Sequence, residues 1–225
     1  MLHNTIILTY FVFQSTLNMD SKKYLDDISE IKNMMSKSSR FMSLSGLSGI
    51  LAGVYALIGA YLAHNIIHNI KSEPSKLKRF LMTFGALDSL LIIALSVMVL
   101  ALVTGTVLTY FKAKKSGEKM WDISSKRLLL NFALPLVVGG LFCLVLIQYE
   151  YIKIVAPATL IFYGLACVNA SKYTLGGVRY LGITIIAIGL ISTQFIGYGL
   201  YFWALGFGVC HIIYGSLMYF KHDRS

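Results

Sequence analysis

Charged side chains are scarce in this 225-residue chain, where Asp, Glu, Lys and Arg make up 13% of the positions, against about a quarter in a soluble domain. Several long stretches have none, two of them in the first half of the chain. Residues 41–63 and 89–111, 23 positions each, contain no Asp, Glu, Lys, Arg or His, and about 20 apolar residues cross a hydrocarbon layer about 30 Å thick. No soluble helix needs apolar residues on every face for that length. Catalytic signatures are missing as well. Without HExxH, GxSxG, a Walker loop or CxxC, an intramembrane protease or a nucleotide-driven pump lacks its usual parts. The three cysteines, Cys143, Cys167 and Cys210, all lie in apolar runs. They read as small buried hydrophobes, not as a disulfide frame or a zinc site.

What is abundant is apolar: 56% of the residues are hydrophobic. The formal net charge of +10 would point to nucleic acid in a soluble protein. Here most basic residues flank apolar runs, as membrane anchors do, so nucleic acid is not an expected partner. The expected fold is all-α, a polytopic membrane bundle of six transmembrane helices preceded by an amphipathic helix. The spans are placed at about 41–63, 86–111, 128–149, 153–172, 176–196 and 198–220, with a tail at 221–225. Ser72, Glu73 and Pro74 turn the chain between the first two spans, and Pro135 makes a kink available in the third. Thr193, Gln194, Gly197 and Gly199 interrupt the long apolar run 180–220, which is therefore cut in two. No three-plus-three inverted repeat of the transporter kind is visible.

The N-terminal region reads differently. Residues 6–13 are largely apolar but too few to span, and no basic residue precedes them, so 1–18 reads as a leader or an over-extended start. Met19 opens a more natural beginning. Residues 19–40 then read as a cytoplasmic amphipathic helix capped by Asp20 or Ser21, with Tyr24, Ile28, Ile31 and Met35 on one stripe. That stripe suits an interface helix or a docking surface for a membrane or cytoplasmic partner, or for a second copy of the chain. With the N-terminus inside, fifteen Lys and Arg fall on inner segments and five on outer ones, which places both termini in the cytoplasm.

One resemblance bears on location. The segments Asp27-Ile28-Ser29-Glu30-Ile31-Lys32, Ser39-Arg40-Phe41 and Ser45-Gly46-Leu47-Ser48-Gly49 form its first half. Leu175-Gly176-Gly177, Arg179-Tyr180-Leu181-Gly182, Gly206-Phe207-Gly208 and His211-Ile212-Ile213-Tyr214-Gly215 form the second. Together they resemble uncharacterised multi-span inner-membrane proteins of Bacteroidota bacteria. The resemblance covers most of the chain from about Lys22 and implies a bacterial inner-membrane location. It implies no activity and no cofactor.

Ionisable residues inside a span are costly and are functional candidates by default. His211 stands 13 positions after Tyr198 and 10 before Lys221, well inside the core. Arg179, Asn169 and Asn131 are nearest in depth, with Tyr214 one turn away, so His211, Arg179, Asn169 and Tyr214 form a candidate intramembrane polar site. A histidine there relays protons or holds a ligand in one reading, and fixes helix packing in the other. Arg179 can also snorkel to the headgroups. Asp88 and Glu150 are candidate outer-side carboxylates, where a solvated helix end is the plainer reading. His64 and His68 share a helix face and could hold a divalent metal, but two ligands fall short of the usual three or four. Ser43, Gly46, Gly49 and Gly53 place small residues on one face of the first span, a packing device in lipid.

The sequence thus points to a non-catalytic membrane module that binds a partner or a small apolar ligand. A small proton- or cation-coupled carrier acting as an oligomer is the alternative, and a membrane enzyme comes third. Convergence of His211, Arg179, Asp88 and Glu150 on one site would favour the carrier; scatter would favour the module.

Overall fold

In the computed structural model the chain divides into two compact units, Met1–Arg40 and Phe41–Ser225. The residues described are Tyr24, Asp27, Ile28, 45–115, 117, 121–174 and 177–223, without the side chains of 77–84, 222 and 223. In the first unit Tyr24, Asp27 and Ile28 are helical and exposed. The rest of the amphipathic helix expected at 19–40, the leader 1–18 and Ser43 lie outside the described residues.

The second unit holds six helices long and apolar enough to cross a membrane. They are α1 (Gly46–Ser72), α2 (Lys76–Lys115), α3 (Ile123–Gln148), α4 (Ile152–Ala170), α5 (Gly177–Gln194) and α6 (Gly199–Lys221). No strand occurs among the described residues. The protein is an all-α, multi-pass membrane bundle.

Local chemistry explains where these helices begin and end. α1 continues past position 63 to Ser72, because nothing breaks it before Pro74; Glu73, just ahead of that proline, is extended at ψ 120°. α2 has 40 residues, about 60 Å of helix and twice the hydrocarbon thickness, so its ends stand outside the apolar layer. Asp122 caps α3, accepting from the Ser125 backbone N–H and the Ser125 hydroxyl, each at 2.7 Å. The far end of α3 closes in a Schellman turn, with Tyr151 N–H on the Leu146 carbonyl at 2.8 Å and Glu150 N–H on Ile147 at 3.0 Å. Glu150 occupies the left-handed position of that turn at φ 64°, which costs a residue with a Cβ about 1–2 kcal/mol.

Pro135 lies inside α3 and cannot donate to the carbonyl four residues back, that of Asn131. The Asn169 amide on α4 fills the gap, donating to the Asn131 carbonyl at 2.8 Å. A proline that weakens one helix thereby supplies an acceptor that ties it to the next.

α4 is the hub of the unit, packed against α3, α5 and α6, while α1 lies between α2 and α6. Glycine brings the backbones together at both crossings. A Cβ on Gly53 would come within 2.6 Å of the Gly208 carbonyl, and one on Gly215 within 2.6 Å of the Gly46 carbonyl, so α1 and α6 touch main chain to main chain. Gly164 and Gly182 oppose each other in the same way, each 2.7 Å from the other's carbonyl by that measure. On the opposite face of α1, Gly59 receives Val97 of α2. Leu160, Leu181 and Ile185 form the packed centre where α4, α5 and α6 meet.

Candidate functional site: a buried histidine–tyrosine pair

α6 is not one regular helix. Gly199–Trp203 is α-helical, Ala204–Val209 widens into a π turn, and Cys210–Met218 resumes the α form. π turns insert a residue into a helix and are frequent at functional positions. Here Gly206 and Gly208 let the widened turn sit against Leu160 and Leu57. His211, which is 6% exposed, stands two residues past the end of that turn.

Both ring nitrogens of His211 are engaged. Nδ1 lies 3.1 Å from the Gly206 carbonyl, and Nε2 lies 2.7 Å from the Tyr163 hydroxyl. A carbonyl oxygen only accepts, so Nδ1 carries the proton and donates it there. Nε2 is then an acceptor, and Tyr163 donates its O–H to it. The carbonyl inside the π turn thus sets the tautomer of the imidazole.

Tyr163 comes from the middle of α4, ten residues after Lys153 and nine before Lys172. Aromatic rings enclose the pair. Phe207 packs on Tyr163 at 4.9 Å and stacks on His211 at 6.1 Å, while Phe132 of α3 meets the Tyr163 ring edge-on at 5.9 Å. Trp203 extends the cluster behind Phe207 at 5.0 Å. Cys167, one turn after Tyr163, is a buried free thiol. The Tyr214 hydroxyl is buried without a hydrogen-bond partner. Its ring lies across Gly177, the first residue of α5, where a Cβ would stand 3.1 Å from Cε2.

The other candidates from the sequence go elsewhere. Asn169 is committed to the Asn131 carbonyl, and the Asn131 amide donates to its own helix at Arg127, 2.8 Å away. Arg179 is exposed on α5, Asp88 on α2, and Glu150 in the turn between α3 and α4. His64 and His68 stand with ring centroids 6.2 Å apart, and His64 meets Tyr201 edge-on at 5.9 Å. Among the described residues no group of three His, Cys, Asp or Glu could hold a metal ion. Gly46, Gly49 and Gly53 all face α6, with a Cβ on Gly49 3.1 Å from the Gly215 Cα.

Tyr163 is the residue the sequence reading passed over. One signal for it exists: it sits as deep in its span as His211 does in its own. A tyrosine at mid-span, away from the headgroup belts, needs a buried partner for its hydroxyl.

Chemically the pair can do two things. It can join α4 to α6 through a directional bond in a medium that offers no water, or it can pass a proton between hydroxyl and imidazole. Compared with known protein families, curated proteins and solved structures, the chain matches none of them.

Proposed function

We propose that this protein is a non-catalytic module of a bacterial inner membrane that binds a partner or a small apolar ligand. One observation carries the reading. The buried imidazole has both nitrogens satisfied within the fold, while Arg179, Asp88 and Glu150 are exposed on three separate elements. A carrier needs polar groups gathered on a shared path and left available to a cargo; a packed module needs them consumed by the bundle.

The test uses the full chain in sealed vesicles carrying a pH gradient, alongside complementation of a deletion strain. The module should add no proton or cation flux over empty vesicles. His211→Gln, whose amide also donates and accepts, should stay folded and complement. His211→Leu should lose about 0.6 kcal/mol of stability, the average for interhelical bonds in lipid. Flux that disappears in a folded His211→Gln protein would overturn the reading.

That outcome would install the carrier instead. One feature favours it: the Tyr214 hydroxyl, one helical turn after His211, is buried without a hydrogen-bond partner, as a further member of a proton chain would be before its cargo arrives.

A further inference from the structure

We infer that the end of the bundle where α2 closes and α3 opens is a binding surface for anionic phospholipid headgroups. It is formed by Lys114, Lys115, Lys126 and Arg127 around Trp121 and Ile123.

Depth comes first. The uncharged run of α2 ends at Phe111, and Lys114 and Lys115 follow three and four residues later, about 5–6 Å further along the helix. On α3 the apolar run opens at Leu128, so Lys126 and Arg127 stand at its mouth and Ile123 five residues outside it, about 7 Å away. The headgroup layer adds about 5–7 Å to each side of the hydrocarbon. All of these groups therefore sit at headgroup level.

Exposure and charge follow. The four basic side chains are exposed, and Trp121 and Ile123 are 69% and 70% exposed, more than almost any other large apolar side chain described. Water is a poor neighbour for an indole and a sec-butyl group that four cations flank in the sequence. Phospholipid supplies what both need, phosphate for the cations and glycerol and upper acyl chain for Trp121 and Ile123. Asp122, the described acid among them, is turned into the helix start by its two bonds to Ser125.

The opposite end of α3 lacks this pattern. There Tyr149 and Tyr151 are exposed around Glu150, with Lys153 the nearest cation in sequence. A soluble acidic protein could match the charges, but it would have to enter the headgroup layer to cover Trp121 and Ile123. The depth argument therefore favours lipid.

The experiment is native mass spectrometry of the full chain released from bilayers with equal amounts of phosphatidylglycerol and phosphatidylcholine. Phosphatidylglycerol should be retained in preference, and the preference should fall with added salt. Each cation removed should cost about fivefold. Lys126→Gln with Arg127→Gln tests one side, and Lys114→Gln with Lys115→Gln tests the other should the first fail to fold. Lys71→Gln with Lys76→Gln, away from this end, should leave the preference unchanged. Equal retention of the two lipids would overturn the proposal. So would an equal loss from the Lys71 and Lys76 control, because net charge alone would then explain the effect. Release of the bound lipid by poly-glutamate at matched ionic strength would also overturn it and assign the surface to an acidic protein segment.

Discussion

Single side chains in this protein act mainly by completing backbone that the fold leaves unsatisfied. His211 donates to the Gly206 carbonyl in a π turn, Asn169 to the carbonyl orphaned by Pro135, and Asp122 accepts from the open start of α3. Unpaired backbone groups are expensive where no water can reach them, so short polar side chains do the repair. The Asp122 carboxyl shows the electrostatic cost and gain together. Burial alone would raise its pKa, but hydrogen bonds from the Ser125 N–H, the Ser125 hydroxyl and the Ser124 backbone outweigh it and hold it below its ordinary value. A depressed carboxyl contributes stability above its unfolded pKa and loses it as pH falls through the folded one. Asp122→Ala should therefore cost about 1 kcal/mol at neutral pH, as N-cap deletions do. In thermal unfolding, the gap to the unaltered protein should narrow as the pH drops below the usual carboxylate range. A gap unchanged by acid would mean the carboxylate charge plays no part in the cap.

At the level of helices, contact is decided by where side chains are absent. Gly46, Gly53, Gly208 and Gly215 let α1 and α6 meet backbone to backbone, whereas nothing lies within 4 Å of a Cβ built on Gly140. The two kinds of glycine should respond oppositely to one methyl group. Gly215→Ala drives a carbon into the Ile50 nitrogen and the Gly46 carbonyl, and overpacking of this kind costs about 1–3 kcal/mol. Gly140→Ala meets open space and gains helix propensity, up to about 1 kcal/mol in an aqueous helix. Unfolding in detergent of the two variants side by side checks this. Equal effects would show that the α1–α6 crossing is looser than its geometry. A period of small residues on α1 marks a face in the sequence. It does not say which helix meets that face, because any other small-faced span fits equally well.

Across the whole molecule the helices are unequally used. The most apolar 18-residue stretch of α2 has no buried residue, whereas 39% of the corresponding stretch of α4 is buried. α2 is a lipid-facing element resting on α1, and α4 is the hub. Orientation is a property of this scale too, since it follows from the whole distribution of Lys and Arg and not from any one loop. The count predicts that Ser116→Cys labels with an impermeant thiol reagent only from the cytoplasmic side and Ser75→Cys only from the outer side. The native cysteines contribute little background, because Cys143 and Cys167 are buried and Cys210 is half-buried. Outside labelling at position 116 would reverse the orientation.

Six spans and an all-helical membrane fold were determined by the sequence alone. Long runs without charge have no other stable home, and lipid forces their backbone into helices. The depth of His211 was legible for the same reason, as a count of residues from the span ends. Its partner was not. Pairing Tyr163 with His211, or Asn169 with the Asn131 carbonyl, depends on which helices are neighbours and how they are rotated. Apolar spans with little amphipathic contrast leave both undetermined, since lipid and protein interior are almost equally good solvents for Leu, Ile and Val. Only the tertiary structure decides these, through the few positions where glycine allows close approach and a polar atom needs a partner.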